Sequence, residues 1–208
     1  MKLKVCGMRS PKNISNLAKI KPDYIGLIFW ENSKRFVFNS TPDLGEPVKK
    51  VGVFVNASLK YIKECIEAHK LKGVQLHGNE SPKQCSELKE IDVEVIKAFA
   101  IQKKFDFSEI ELYEPVCDYF LFDAKGELPG GNGLHFDWTL LKDYPSKKPF
   151  FLSGGIGPND CVAIASIIKL NLPLYAVDVN SKFEIEPGFK NIQSIKKFKS
   201  KLYNEISG

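Results

Sequence analysis

Eight short apolar runs recur along the chain, each bounded by polar or turn-forming residues. They read "KLKVC", "YIGLIF", "VGVFV", "GVQLH", "VEVIKAF", "DYFLFD", "PFFLS" and "LYAVDV". Near-continuous apolar runs of this length, rich in β-branched and aromatic residues, suit strands buried on both faces, which is the habit of parallel sheets. Segments with helical period or helix caps lie between most of them. "SPKNISNLAKI" places Ser10 at an N-cap and Pro11 at the first helical position. "SLKYIKECIEAHK" starts from Ser58 and sets Leu59, Ile62 and Ile66 on one face. "SPKQCSELKE" repeats the Ser-Pro start at Ser81 and Pro82, and "PNDCVAIASIIKL" and "GFKNIQSIKKFKSKLY" continue the alternation. Two connections are weaker: "TPDLGEPVKK" has room for a single helical turn, and "FDWTLLKDY" is short.

Eight such units in 208 residues predict one domain over residues 1–208, a single (β/α)8 TIM barrel with a parallel eight-stranded barrel. The alternative is an open doubly wound sheet. A Gly-x-Gly-x-x-Gly turn after the first strand would favour it, and "CGMRSP" is not that motif.

Composition narrows the function classes. No apolar run approaches the ~18–20 residues of a membrane span, and no apolar stretch of a signal peptide follows Lys2 and Lys4. A soluble, cytoplasmic protein without membrane association is expected. The net charge is +5, yet only Arg9 and Arg35 among the 30 basic residues are arginine. The lysines are densest in "SIKKFKSKLY", opposite a stripe of Ile192, Ile195, Phe198, Leu202 and Ile206. They therefore line a solvated helix face, and no nucleic-acid partner is expected. A mild positive field suits an anionic small molecule. The cysteines are Cys6, Cys65, Cys85, Cys117 and Cys161, an odd number with no Cys-x-x-Cys pair, which argues against disulfides and zinc. Cys65 and Cys85 fall in helical patterns, as small core residues. His69, His77 and His135 show no metal-ligand spacing, and no metal is expected.

In such a barrel the active site lies at the C-terminal ends of the strands, and polar residues gather there. The first strand exits at Cys6 and turns at Gly7; the second leads into "WENSKRF" with Arg35. The third ends near Asn56, the fourth at His77, and the fifth carries Lys97. The sixth ends at Asp123, followed by Lys125 and the glycine-rich "GELPGGNG", which reads as a loop able to close over substrate. The seventh ends in Ser153-Gly154-Gly155, and the eighth at Asp178, running into Asn180 and Ser181. Each residue has a plainer reading: Cys6 as packing, Arg35 in a surface ion pair, His77 bonded to neighbouring backbone, Asp178 and Asn180 as caps of the last helix. A purely structural barrel, however, has no reason to collect a thiol, an arginine, a histidine and two carboxylates on one rim. "LSGGIGPND" and "VDVNSKFEIEPG" add two anion-binding candidates, where glycines let backbone N–H groups approach a phosphate near a helix start.

Taken in order, "KVCGM", "GLIFWENSKRFV", "VGVFVN", "VQLHGNE", "VIKAF", "FDAK…GGNGLHFDW", "LSGGIGPND" and "AVDVNSKFEIEPGFKN" resemble the phosphoribosylanthranilate isomerase family of tryptophan biosynthesis. The resemblance implies an Amadori rearrangement of N-(5-phosphoribosyl)anthranilate, with neither metal nor organic cofactor. It implies Cys6 as general base, Asp123 as general acid and Arg35 at the anthranilate end. Asp178 would lie near the sugar, and the phosphate on Gly154, Gly155, Asn180 and Ser181. His77 is a further candidate for contact with substrate. The expected partner is a small phosphorylated substrate, with the chain a monomer or homodimer. A related isomerisation in the histidine pathway would be expected to use two aspartates, whereas the first strand here ends in cysteine. A catalytically silent barrel would not need the acid and base positions.

The chemistry sets conditions on both groups. Ring opening needs a proton on the furanose oxygen, so a site using Asp123 should raise its carboxyl above ~3.9. A thiolate can remove the carbon-bound proton, and a thiol near ~8.5 would be helped by a lowered pKa. Lys4, Arg9 or the helix starting at Pro11 are the candidate sources of that shift. Three departures from the family pattern stand out. Ser33-Lys34-Arg35 replaces Ser-Pro-Arg, Gly130-Gly131-Asn132-Gly133 replaces Gly-Gly-Thr-Gly, and Ser181-Lys182 replaces Ser-Gly. At Lys182 a positive φ would cost roughly 1 kcal/mol or more; otherwise the lysine places an ammonium near the phosphate.

Overall fold

In the computed structural model, which describes residues 1–124, 126, 133 and 135–207, the apolar runs become eight strands. They are β1 (Lys2–Val5), β2 (Tyr24–Ile28), β3 (Lys49–Phe54), β4 (Gly73–Leu76), β5 (Glu94–Ile101), β6 (Tyr119–Ala124), β7 (Phe150–Leu152) and β8 (Leu174–Val179). Each pairs in parallel with the next, and β1 pairs with both β2 and β8, so the sheet closes. Closure leaves no strand edge unpaired. This is the expected TIM barrel.

Five α-helices, among the described residues, cover the outside: α1 (Pro11–Ala18), α2 (Leu59–His69), α3 (Pro82–Lys89), α4 (Cys161–Ile168) and α5 (Ile192–Ser207). The side chains of Ser10, Ser58 and Ser81 accept hydrogen bonds from the backbone N–H of Asn13, Tyr61 and Gln84, capping the first three as the sequence predicts. On α5 the stripe packs inward through Ile195, Phe198 and Leu202.

Three connections depart from the regular alternation. Residues 29–48 contain no helix, so the expected turn over "TPDLGEPVKK" does not form. Pro42, Gly45 and Pro47 in that stretch explain it, since proline lacks the N–H a helix interior needs and glycine weakens it. After β5 and β6 the chain forms 3-10 segments, Phe107–Val116 and Trp138–Asp143, in place of α-helices. The first contains Pro115. No helix among the described residues is long and apolar enough to cross a membrane.

The barrel interior is filled in layers. Tyr24, Val51, Ile96, Leu121, Phe151 and Ala176 form an apolar plug, all essentially sealed from solvent. Outside the barrel a second aromatic cluster packs β6 against its neighbours. The Phe122 ring meets those of Phe99, Phe105, Phe107, Tyr144 and Phe150. Phe122→Ala should therefore lower the unfolding free energy by about 3–5 kcal/mol, read from urea denaturation. A loss below about 1 kcal/mol would mean that this cluster packs loosely.

Candidate active site

The C-terminal ends of the strands surround a cavity of about 250 Å³. Cys6, Arg35, His77, Asp123, Gly155, Asp178, Asn180 and Ser181 all line it, although they come from six different connections of the barrel. Gly154 does not. A Cβ there would lie 2.8 Å from the backbone nitrogen of Ala124, so this glycine packs against β6 and sets the course of the loop. Helix α4 begins only at Cys161, so its N-terminus does not directly follow the two glycines.

Cys6 follows β1 and is buried. Space for its thiol comes from Gly26 on β2, where a Cβ would stand 2.7 Å from Sγ. Gly7 adopts φ +72°, and a Cβ on it would collide with Asn180 and Arg35. The turn after Cys6 thus requires glycine both for its backbone and for the room it leaves. Burial pushes the Cys6 thiol above its ordinary value, and Asp178 adds to the shift; Lys4 and Lys190 pull it down without overcoming burial. The expected depression of this thiol is therefore not met. Lys4 is the nearby cation, as the sequence allowed, whereas the Arg9 guanidinium donates to the Lys34 carbonyl instead.

Beneath the thiol, Lys4 points into the barrel with no solvent exposure. Its ammonium donates to Asp178 Oδ2 and Gln75 Oε1, each at 2.8 Å. Burial works against that charge, but Asp178 and Cys6 more than offset it and hold the Lys4 pKa above its ordinary value. Gln75 Nε2 lies 2.8 Å from His77 Nδ1, and His77 Nε2 lies 3.2 Å from Asp123 Oδ2. Asp123 Oδ1 accepts from the Ala124 N–H at 3.0 Å. The other oxygen of Asp178, Oδ1, is buried without a hydrogen-bond partner among the described residues. An unpaired acceptor in a pocket wall is costly unless a ligand meets it.

The opposite wall holds a second network. The Arg35 guanidinium grips Glu184 through Nε and Nη2, at 2.8 and 2.7 Å. Glu184 also accepts from the ammonium of buried Lys190 at 2.6 Å and from the Gly188 N–H. Burial opposes the Glu184 charge, but Arg35 and Lys190 together hold its carboxyl below the usual range. Lys190 also donates to Asn180 Oδ1 at 2.7 Å, and burial pushes its pKa down to about 8 against the pull of Glu184.

Three of the plainer readings do not hold. Arg35 and Glu184 are only 13% and 6% exposed, so theirs is not a surface pair. The His77 ring meets the Gln75 amide and lies 3.2 Å from Asp123 Oδ2, rather than bonding backbone. Asn191, not Asp178 or Asn180, caps α5 by accepting from the Ser194 N–H. Lys97 and Asn56 serve the rim differently. Lys97 is buried against Glu80 and the carbonyls of Leu76 and Gly78, and Asn56 Oδ1 accepts from the Asn79 N–H. Lys182 lies in a 3-10 turn, Ser181–Phe183, and is not among the described non-glycine residues with positive φ, so no backbone strain arises there. The Lys182 side chain reaches toward Gly133, in the direction of the loop after β6. Lys125, Gly130, Gly131 and Asn132 of that loop lie outside the described residues.

Gln75, Glu184 and Lys190 complete the site but do not stand out in the sequence. Gln75 sits inside an otherwise apolar run, the one available sign that a polar group faces the interior. Among the described residues no cluster of histidine, cysteine and carboxylate is placed to hold a metal ion.

A family model described as N-(5'phosphoribosyl)anthranilate (PRA) isomerase matches residues 3–201. An N-(5'-phosphoribosyl)anthranilate isomerase of Parabacteroides distasonis is 46% identical over 205 residues, covering 95% of this chain and 91% of its own. That of Phocaeicola vulgatus is 38% identical over 207 residues, covering 99% and 100%. Among solved structures, phosphoribosyl anthranilate isomerase of Thermotoga maritima superposes with a TM-score of 0.83 at 28% identity, covering 98% of this chain and 99% of its own. A phosphoribosyl anthranilate isomerase in complex with reduced 1-(o-carboxyphenylamino)-1-deoxyribulose 5-phosphate gives 0.80 at 27% identity, with coverage of 98% and 99%.

The raised thiol has a direct chemical consequence. Near neutral pH, iodoacetamide should modify Cys6 in the free protein more slowly than an ordinary thiol, because only the thiolate reacts. The rate should climb steeply into the alkaline range. Peptide mapping by mass spectrometry reads it, and fast modification at neutral pH would mean that the cations outweigh burial.

Proposed function

The chain belongs to the N-(5'-phosphoribosyl)anthranilate isomerase family, and on that premise we propose how its own residues carry the reaction. The reaction is the Amadori rearrangement of N-(5-phosphoribosyl)anthranilate to 1-(2-carboxyphenylamino)-1-deoxyribulose 5-phosphate, the third step of tryptophan biosynthesis from chorismate. It is an internal redox change: the sugar's C1 is reduced as C2 becomes a ketone, so no external oxidant or reductant takes part.

The observation that carries the assignment is that Cys6 and Asp123 face one cavity from β1 and β6, on different sides of the closed barrel. Asp123, protonated, donates to the furanose oxygen. The C1–O bond breaks, and the nitrogen lone pair forms a protonated imine. The Cys6 thiolate then removes the proton on C2, and the electron pair left behind neutralises the imine to an enolamine, which tautomerises to the ketone. The cationic imine favours a thiolate beside it at the step that needs one. Lys4, two residues before Cys6, adds a fixed positive charge below.

The remaining groups suit the ends of the substrate. Arg35 spends Nε and Nη2 on Glu184, which leaves Nη1 to meet the anthranilate carboxylate and fixes the plane of the guanidinium. Asp178 Oδ1, the unpaired acceptor, receives a sugar hydroxyl. Gly155 and the Asn180–Ser181 turn form the phosphate end, with Gly154 shaping the loop. In this reading the enzyme works in the cytoplasm on a small phosphorylated substrate, as a monomer or homodimer without nucleic acid or membrane. All five cysteines are free, as a reducing compartment would keep them.

Loss of anthranilate fluorescence on turnover tests the assignment. Cys6→Ala and Asp123→Asn should each lower kcat by about 10²–10⁴-fold, with far-ultraviolet circular dichroism unchanged. Full activity in both would sink the mechanism. Because the free thiol is raised, kcat/KM should rise with pH from the neutral range into the alkaline, up to about tenfold per unit. Cys6→Asp should move that limb to lower pH, whereas a wild-type profile flat from acid to alkaline pH would exclude Cys6 as the titrating base.

A further inference from the structure

The chain of contacts from Lys4 to Asp123 has only one consistent assignment of hydrogens. The Lys4 ammonium has donors and no acceptor. Its partner 2.8 Å away on Gln75 is therefore the amide oxygen. Turning the amide over would set an NH2 group against an ammonium, with both residues buried. Lys4 keeps its charge because Asp178 is bonded to the same nitrogen. The amide NH2 of Gln75 must then face His77 Nδ1, 2.8 Å away. That group can only donate, so Nδ1 presents its lone pair, and the ring proton sits on Nε2. Nε2 is the atom 3.2 Å from Asp123 Oδ2.

We infer that Gln75 is a positioning residue, held in one orientation by Lys4, which fixes His77 as the Nε2–H tautomer so that the ring turns an N–H, and not a lone pair, toward Asp123 Oδ2, 3.2 Å away. The inference rests on the reading of Asp123 as the acid. It assigns His77 a task other than contact with substrate. With an N–H rather than a lone pair beside Oδ2, the imidazole does not take the acid proton of Asp123, which stays available for the ring oxygen of the sugar. When it leaves, the same N–H steadies the carboxylate that remains. The other tautomer would present a lone pair at Nε2. It would compete for the acid proton and draw it away from the sugar. Buried charge on β1 and β8 thus determines, through one amide on β4, which nitrogen of a histidine faces the acid on β6.

Long-range proton–nitrogen NMR of the histidine rings in the free enzyme reads the tautomer directly, and the chain has only three histidines to assign. His77 in the wild type should show an unprotonated Nδ1 and a protonated Nε2. Gln75→Met keeps the length of the side chain and removes the lock. It should lose this preference and lower kcat by about tenfold or more, with KM within about twofold. Gln75→Glu should instead place a proton on Nδ1, facing the new carboxylate. A protonated Nδ1 and bare Nε2 in the wild type would overturn the inference whether or not any variant folds. So would Gln75→Met with the tautomer unchanged, or with the tautomer lost at full kcat. Full activity in Asp123→Asn would sink the acid assignment while leaving the tautomer result standing, so the two failures are distinguishable.

Discussion

A lysine ammonium at the centre of a protein barrel is the feature on which the site depends. An isolated buried charge costs several kcal/mol, and it persists only where partners meet it with good geometry. Lys4 has Asp178 across the β1–β8 ladder and Gln75 from β4, on the far side of the interior. The apolar plug below excludes water, and the pocket above opens to it. This one nitrogen joins three strands and forms the floor on which the cavity stands.

Strand geometry then carries the floor up into the walls. Side chains two residues apart on a strand share a face. Lys4 therefore leads to Cys6, Gln75 to His77, and Asp178 to Asn180, each pair rising from the floor to the pocket on one strand. In the first two pairs the floor residue acts on the wall residue above it. Lys4 lends charge to Cys6, and Gln75 orients His77. A second set, Arg35, Glu184 and Lys190, ties the connection after β2 to the hairpin of Glu184–Glu186 and Phe189–Lys190 after β8. Lys4, Lys34, Arg35 and Lys190 lie at or near the cavity against Asp123, Asp178 and Glu184; both oxygens of Glu184 are paired, and Oδ2 of Asp178 is taken by Lys4. The excess of donors suits a substrate that carries a phosphate and a carboxylate.

What was legible in the sequence follows from how local each signal is. The strands, the serine caps and the α5 stripe depend on residues within a turn or two, and they appear as expected. Cys6, His77, Asp123 and Asp178 were legible as rim residues because each ends its own apolar run. Gln75 and Lys190 were not, because their partners are remote: Lys4 and Gln75 are separated by 71 positions, and Asn13 and Lys190 by 177. The direction of the thiol shift was also hidden. A lysine two residues from Cys6 is visible in the sequence, but the burial that outweighs it arises only once eight strands close around it. The first 3-10 segment had a local sign, Pro115, which disfavours the α-helix that a regular barrel would place there.

In the proposed mechanism base and acid address the sugar from two sides of one cavity, and a crystal structure with the reduced product analogue bound is the decisive measurement. Cys6 Sγ should lie within roughly 3.5 Å of C2, in line with the hydrogen it removes, and the Asp123 carboxyl on the opposite face, within hydrogen-bond reach of the oxygen released from the ring. An analogue seated with its sugar out of reach of Cys6, or with both groups on one face, would contradict it.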